Sequence, residues 1–327
     1  MLRDLPLPEL ERYTGAATPP ADFDAFWDAT VAEARAAGGA VRLERAEVPL
    51  TTLDVYDLTF PGFAGEPIKG WVRRPRGLTG PAPAVVSYVG YGGGRGAATD
   101  NLLWASAGYV HVHMDTRGQG SGWSAGATPD PWPTGPQAPG VMTKGVADRS
   151  TYYYRRLMTD AVRAVDAARA LDFVDPGRVG VVGGSQGGAL ALAAAALADV
   201  QAAVAFVPFL CDFARGVAMT DRKPFAEITE YLHCHRDQVD QVYGVLSYFD
   251  GVNLARRATA PILMTVALMD DIVPASTVFA AHHHYAGPKS LQIWSHNGHE
   301  AGGPYDDALA LDFFAQRLGA GAAGPLD

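Results

Sequence analysis

Short apolar segments alternate with longer amphipathic segments from about residue 84 to the end of the chain. A strand that is apolar on both faces must be covered by helices on both sides, which is typical of a parallel sheet. The longest amphipathic segment, 151–171, places Leu157, Ala161 and Val165 on one helical stripe. The predicted strands are 84–89, 109–114, 179–182, 202–207, 262–267 and 291–294, and the predicted helices are 98–107, 151–171, 186–197, 276–285 and 305–318. This alternation predicts an α/β protein with a doubly wound, mostly parallel sheet and helices on both faces.

The N-terminal part of the chain has a different pattern. A helix is predicted over 23–37, with Asp22 as its N-cap and the glycine pair at 38–39 ending it. Two runs, 53–60 and 68–73, alternate apolar and polar residues and are separated by a Pro-Gly turn. These runs predict antiparallel strands at an edge of the sheet.

Two segments interrupt the alternation. Residues 122–148 are rich in Pro and Gly and predict a long ordered loop. Residues 209–250 lie between two predicted strands and are helical in character at 225–234 and 237–247. Insertions at the carboxyl edge of a sheet shape substrate pockets, so we interpret 209–250 as a small helical cap. We therefore expect one domain over 1–327, with an N-terminal helical extension at 1–45 and the cap inserted later.

The glycine-rich string at 183–188 contains the strongest candidate for a catalytic residue. It reads G-G-S-Q-G-G and joins an apolar strand to an Ala/Leu-rich helix, which is the context of a nucleophile elbow. The tight turn needs small residues two positions before and after the serine, and Gly183 and Gly187 meet that need. We therefore predict Ser185 as a nucleophile, in preference to a purely structural glycine turn.

A serine nucleophile needs a histidine base that is oriented by an acid. Asp270 and His299 each follow a predicted strand and appear after Ser185 in the order of the α/β-hydrolase fold. Asp271 is an alternative acid, but Asp270 is nearer the strand end. His296 is an alternative base, which we interpret as a solvent-facing loop residue.

Acyl transfer also needs donors for a negatively charged oxygen. The backbone N–H of Gln186 follows the nucleophile, and the glycine-rich loop at 90–96 follows an early strand. We predict the N–H groups of Tyr91 and Gln186 as the oxyanion hole, with the Tyr91 ring as a wall of the acyl pocket. A phosphate cradle is disfavoured because no G-K-[ST] string follows the glycines.

The segment 115–120, D-T-R-G-Q-G, follows another predicted strand at the same edge. Arg117 and Gln119 are candidates either for substrate contact or for holding the loops around the elbow. We favour the structural role, with Asp115 pairing with Arg117.

The composition and net charge of the chain disfavour some classes of binding partner. Lys and Arg number 26 against 35 Asp and Glu, giving a net charge of −9, which disfavours nucleic acid and anionic membranes. No apolar run reaches the roughly 18–20 residues of a membrane span, and the first residues lack a signal-peptide pattern, so we expect a cytoplasmic protein. The two cysteines are expected to be reduced. The histidine runs at 233–235 and 282–284 lack metal-ligand spacing, and no metal or other cofactor is expected.

Three strings together resemble the acetyl xylan esterase / cephalosporin C deacetylase family, carbohydrate esterase family seven. They are the R-G-Q segment at 117–119, the G-x-S-Q-G elbow at 183–187 and the H-E pair at 299–300, and the likeness extends over about 6–318. The resemblance implies deacetylation of small substrates, such as acetylated xylooligosaccharides, cephalosporin C and other acetate esters, by a cytoplasmic homo-hexamer without a cofactor. Departures from the family pattern are Val89, Asp271 and Pro274.

Two other functions remain open at this point. A broader short-chain esterase or a peptidase-like hydrolase could use the same fold and residues. A catalytically silent binding protein would usually lack one of the three residues, and all three are present here.

Overall fold

One mixed sheet organises the part of the chain that the computed structural model describes, residues 4–319. Within those residues its nine strands are β1 (Arg42–Arg45), β2 (Leu53–Pro61), β3 (Pro67–Pro75), β4 (Ala82–Tyr88), β5 (Val110–Met114), β6 (Val174–Gly184), β7 (Ala202–Phe206), β8 (Ile262–Ala267) and β9 (Lys289–Trp294). Their spatial order is β1-β2-β3-β5-β4-β6-β7-β8-β9. The first three strands pair antiparallel, as do β3 and β5, whereas the strands from β5 to β9 run parallel. The carboxyl ends of the parallel strands therefore share one edge, where ligands bind in open α/β sheets.

Helices cover both faces of the sheet. They are α1 (Leu7–Leu10), α2 (Phe23–Ala36), α3 (Leu103–Ser106), α4 (Tyr153–Arg169), α5 (Gln186–Leu197), α6 (Phe213–Met219), α7 (Phe225–Cys234), α8 (Val239–Leu246), α9 (Gly251–Ala255), α10 (Ala275–His284) and α11 (Pro304–Leu318), with a 3₁₀ turn at Phe63–Gly65. Val181 and Ala203 belong to the large core cluster that includes α4 and α5. Val182 and Val204 face the other way, into a cluster with Phe314 of α11. This division explains why most positions of the central strands are apolar on both faces, and it confirms the predicted fold class.

The structure also corrects several predictions. β1 was not predicted, because R-L-E-R has one apolar residue and forms an exposed edge. Neither β2 nor β3 is an edge strand, since β1 pairs with the outer side of β2 and β5 pairs with the other side of β3. Asp22 occupies the N-cap position of α2 without capping it, because its carboxylate bonds to Arg149 and Tyr248 instead.

The remaining differences concern short helices. The helix predicted over 98–107 is only the four-residue α3, and α1, α6 and α9 were not predicted. Residues 122–148 contain no helix or strand, as predicted. Helices α6, α7 and α8 all lie between β7 and β8 in the chain. None of the helices within 4–319 combines the length and apolarity needed to cross a bilayer.

Candidate active site

Ser185 occupies a sharp turn between β6 and α5. Its φ of 55° lies in the left-handed region, which a non-glycine residue rarely adopts and which costs conformational energy. The turn brings backbones so close that a Cβ on Gly183 would lie 2.3 Å from the backbone of Gly187. A Cβ on Gly187 would in turn lie 2.3 Å from the carbonyl oxygen of Tyr88. The predicted elbow geometry is therefore present, and it raises Ser185 above the end of the strand.

Asp270 and His299 are hydrogen-bonded to each other. The Nδ1 of His299 lies 2.8 Å from Oδ2 of Asp270, whose side chain is fully buried. The other carboxylate oxygen accepts the backbone N–H groups of Ile272 and Val273 at 2.8 and 2.9 Å. A carboxylate held in this way keeps the proton of His299 on Nδ1 and leaves Nε2 free to exchange a proton.

The two alternative residues lie elsewhere. The carboxylate of Asp271 forms an ion pair with Arg222 at 3.4 Å. His296 is exposed and lines neither of the cavities that Ser185 and His299 share.

Two cavities meet at Ser185 and His299. The smaller, of about 320 Å³, is lined by Tyr91, Lys223, Pro224 and Ile272, and we name it the Ile272 cavity. The larger, of about 440 Å³, lies against Asn101, His113 and Asp307 among others, and we name it the Asn101 cavity. Ser185, His299, Gly90 and Trp123 line both cavities. The structure thus brings the predicted nucleophile and base to one space.

The N–H groups predicted as oxyanion donors are available. Among residues 4–319, no acceptor takes a hydrogen bond from the backbone N–H of Tyr91 or of Gln186. Gln186 begins α5, so the positive end of the helix dipole adds to its donor strength. An unpaired N–H beside a cavity is ready to bind a negatively charged oxygen.

Gln119 connects the loop of Tyr91 to the elbow. Its Oε1 accepts the N–H of Gly92 at 2.7 Å. Its Nε2 donates to the hydroxyl of Tyr153 at 2.8 Å and to Oε1 of Gln186 at 3.0 Å. The hydroxyl of Tyr154 also donates to Gln186 Oε1, at 3.0 Å. The structural role favoured for Gln119 agrees with these contacts, and the buried tyrosines at 152–154 pack within the chain.

Arg117 is also structural, but its partner differs from the predicted one. Its guanidinium forms two hydrogen bonds to Asp160, at 2.5 and 2.8 Å, and another to Glu66 at 2.5 Å. Burial disfavours the charged guanidinium, but Asp160 and Glu66 outweigh burial and raise the pKa of Arg117. The predicted pairing with Asp115 is wrong, because the Asp115 carboxylate is occupied by the backbone N–H groups of residues 95 and 127 and the hydroxyl of residue 128.

Glu227 of α7 was not identified from the sequence. Its carboxylate accepts the hydroxyl of Tyr91 at 2.8 Å and the N–H of Met142 at 3.1 Å. Burial raises the pKa of Glu227, and burial together with Glu227 raises the pKa of Tyr91. In the sequence, Glu227 lies in the predicted helix 225–234 beside Ile228 and near Tyr231, which are both buried on α7. This position is the signal that could have identified Glu227.

Reduced cysteines and the absence of a metal site were both predicted from the sequence. Cys211 is buried, Cys234 is exposed, and both are free thiols, as expected. Within the described part of the chain, no three His, Cys, Asp or Glu side chains are grouped closely enough to hold a metal ion.

Comparison with known proteins places this geometry in a family. The model of the acetyl xylan esterase (AXE1) family matches residues 1–317. Acetyl esterase Axe7A of Xylanibacter ruminicola is 29% identical over 290 residues, which are 86% of this chain and 63% of that protein. The chain thus spans less than two thirds of that relative's length.

Two solved structures are similar over nearly the whole chain. An acetyl xylan esterase from Paenibacillus sp. R4 superposes with a TM-score of 0.91 at 38% identity, covering 96% of this chain and 100% of the other. Acetyl xylan esterase 1 from Thermoanaerobacterium sp. JW/SL YS485 gives a TM-score of 0.88 at 33% identity, covering 96% and 99%. The chain therefore belongs to the acetyl xylan esterase family, whose members are carboxylic ester hydrolases of the α/β-hydrolase fold.

Proposed function

We propose that this protein is a serine esterase that removes acetyl groups from small acetylated substrates through an acetyl-enzyme intermediate. The observation that carries the proposal is the hydrogen bond from His299 to buried Asp270, at the cavities onto which Ser185 opens. Membership of the acetyl xylan esterase family supports acetyl as the acyl group.

In the first step, Nε2 of His299 takes the proton of Ser185 Oγ while that oxygen attacks the acetyl carbonyl carbon. The carbonyl oxygen becomes negative and receives the N–H groups of Tyr91 and Gln186. When the ester C–O bond breaks, His299 returns the proton to the departing alcohol. Asp270 keeps the imidazole oriented and stabilises its charged form throughout.

In the second step, water replaces the alcohol. His299 takes a proton from the water as the water oxygen attacks the acetyl-enzyme carbonyl carbon. The second tetrahedral intermediate uses the same two N–H groups. Its collapse releases acetate and returns the proton to Ser185, so the cycle needs no cofactor.

We propose that the Ile272 cavity receives the acyl group and that its size suits a short one. Its walls include the Tyr91 ring, Pro224 and Ile272, and the hydroxyl of Tyr91 is tied to Glu227. Pro224 belongs to the segment 209–250, so we propose that this segment is a cap that closes this cavity. We also propose that the chain is one domain, 1–327, in which residues 1–45 are an N-terminal extension.

The remaining proposals rest on the family resemblance. We propose that acetylated xylooligosaccharides and cephalosporin C are both accepted as substrates, that the protein acts in the cytoplasm, and that copies assemble as a homo-hexamer. Analytical ultracentrifugation tests the assembly, since a hexamer of 34.5 kDa chains differs sixfold in mass from a monomer.

Replacing the nucleophile tests the central proposal. We expect Ser185→Ala to lower kcat for p-nitrophenyl acetate by about 10⁴ or more, and to abolish labelling by a fluorophosphonate probe. Ser290→Ala is the matched control, because Ser290 is exposed on β9 and lines neither cavity. Near-normal hydrolysis by Ser185→Ala would overturn the assignment.

A further inference from the structure

Tyr91 is the one residue with a side chain in the loop segment 90–94, which reads G-Y-G-G-G. Glycine leaves the backbone free to adopt many conformations, so glycines on both sides of Tyr91 do little to fix the direction of its N–H. This N–H is one of the two proposed oxyanion donors. The contacts that hold the Tyr91 side chain therefore help to decide where the N–H points.

The far end of the Tyr91 side chain is held on two sides. Its hydroxyl donates to the carboxylate of Glu227, at 2.8 Å from Oε1 and 2.9 Å from Oε2. The same hydroxyl accepts the backbone N–H of Val141 at 2.7 Å. Burial and the nearby carboxylate of Glu227 raise the pKa of Tyr91, so the hydroxyl keeps its proton and donates at neutral pH.

The side chain of Glu227 is itself fixed by its surroundings. It is buried, and its Oε2 also accepts the backbone N–H of Met142 at 3.1 Å. The chain at Gly140 passes directly against it, since a Cβ on Gly140 would lie 2.2 Å from the carboxylate oxygens. Glu227 thus connects α7 both to Tyr91 and to the loop 122–148.

Glu227 does not face the reacting groups. It lines neither of the two cavities that Ser185 and His299 share, whereas Tyr91 lines the Ile272 cavity. Glu227 can therefore affect the reaction only through its neighbours, and Tyr91 is the neighbour that reaches the catalytic space.

If Ser185 is the nucleophile, as proposed above, the N–H of Tyr91 must point at the oxygen of the reacting carbonyl. We propose that Glu227 is a positioning residue, which holds the Tyr91 side chain and thereby aims the Tyr91 N–H at this oxygen. The helical segment 209–250 then contributes to the rate of the reaction as well as to the walls of the pocket. Loss of the carboxylate loosens the donor and destabilises both tetrahedral intermediates, while proton transfer through His299 is unchanged.

Two substitutions of Glu227 separate its hydrogen bond from its packing. Glu227→Leu has a similar volume but no acceptor, whereas Glu227→Gln retains an oxygen that accepts the Tyr91 hydroxyl. With p-nitrophenyl acetate we expect Glu227→Leu to lower kcat about tenfold and to leave KM within about threefold, because the donor is misaligned only when charge develops on the oxygen. Glu227→Gln should recover most of kcat. Glu230→Leu, at an exposed position of α7, is the control and should keep the wild-type kcat.

Inhibition by methylboronic acid gives a readout that a merely structural role would not move. Its boron binds Oγ of Ser185 and becomes tetrahedral, so one boron-bound oxygen takes the place of the negatively charged oxygen of the intermediate. We expect Ki in Glu227→Leu to rise by about the same factor as kcat/KM falls. In a partly unfolded preparation kcat would fall while the active fraction kept the wild-type Ki. A lowered kcat with a wild-type Ki would therefore overturn the inference.

A double-mutant cycle tests whether Glu227 acts through Tyr91. Tyr91→Phe removes the hydroxyl but keeps the ring and the backbone N–H, and it should lower kcat to a similar extent. Combining Tyr91→Phe with Glu227→Leu should add no more than about a twofold further loss, because both changes break the same contact. If the two losses multiply, Glu227 acts by another route and the inference is wrong.

The inference and the underlying function fail differently. Wild-type kcat and Ki in Glu227→Leu, with hydrolysis still dependent on Ser185, would overturn positioning by Glu227. Hydrolysis that survives Ser185→Ala would overturn the proposed function instead.

Discussion

At the scale of single residues, the site depends on side chains that close packing or hydrogen bonds hold in place. Ser185 is held at positive φ by close packing of two glycines, and Asp270 is held by two backbone N–H groups. Asp271 is adjacent in the chain but directs its carboxylate to Arg222. The two adjacent carboxylates thus have different partners: Asp270 binds the imidazole of His299, and Asp271 pairs with Arg222.

This contrast leads to a paired prediction. Asp270→Asn should lower kcat by roughly 10³–10⁴, because the amide no longer holds Nδ1–H of His299 and stabilises the charged imidazole less. Asp271→Asn is the matched control and should stay within a few-fold of the wild type. Steady-state kinetics on p-nitrophenyl acetate would decide, and equal losses in the two variants would contradict the assignment of Asp270.

At the scale of elements, loops from three strands are joined by side-chain amides. The loop after β4 carries Tyr91, the loop after β5 carries Gln119, and the turn after β6 carries Ser185 and Gln186. Gln119 bonds to Gly92, to Gln186 and to Tyr153 of α4. Gln119 thus bridges the separate loops that carry the two N–H groups proposed as oxyanion donors.

Removing the bridge should weaken catalysis more than folding. We expect Gln119→Ala to lower kcat about 10- to 100-fold, since one displaced oxyanion donor costs up to about 10²–10³ in rate. The thermal midpoint should change little, because Gln119 is only partly buried. Gln137→Ala, at an exposed position in the loop 122–148, is the control. Wild-type kcat in Gln119→Ala would show that the loop holds its position without the bridge.

At the scale of the whole molecule, buried histidines in the sheet connect stability to pH. His111 and His113 lie on β5, and burial is the main cause that lowers the pKa of both. Nearby Arg73 acts on both imidazoles, Arg95 acts on His113, and each histidine contacts Ser87. For His113 the pKa falls from 6.5 to about 3. The folded protein therefore binds fewer protons than the unfolded chain between these values, and stability decreases as pH falls below about 6.5.

The size of this effect can be stated for His113. At pH 5 the buried neutral imidazole costs about 2 kcal/mol relative to pH 8, since each unit of pH below the unfolded pKa contributes about 1.36 kcal/mol. Urea midpoints at pH 8 and pH 5 should differ less in His113→Gln than in the wild type. His233→Gln, at an exposed position of α7, should retain the wild-type difference. If the urea midpoints of His113→Gln at pH 8 and pH 5 differ as much as those of the wild type, the link between His113 protonation and stability is refuted.

Local patterns were sufficient for most of the sheet and for the elbow. Strands β4, β5, β7 and β8 are mostly apolar because helices cover both faces, so they were found within two residues of their bounds, whereas β6 was predicted only over its apolar C-terminal half and β9 only over its last four residues. β1 was missed, and β2 and β3 were wrongly predicted as edge strands, because edge position depends on which strands pair. The residue types of a strand reveal little about which other strand, distant in the chain, it pairs with.

What the sequence determined by itself was the alternation of buried strands and helices, the tight turn at Ser185, and the chain order of serine, acid and histidine. These depend on spacing over a few residues, so they are visible without coordinates. Only the tertiary structure decided the partners of polar side chains: Arg117 with Asp160, 43 positions apart, and Tyr91 with Glu227, 136 positions apart. A buried charge or hydroxyl needs a partner, but which one it meets is set by how distant elements pack.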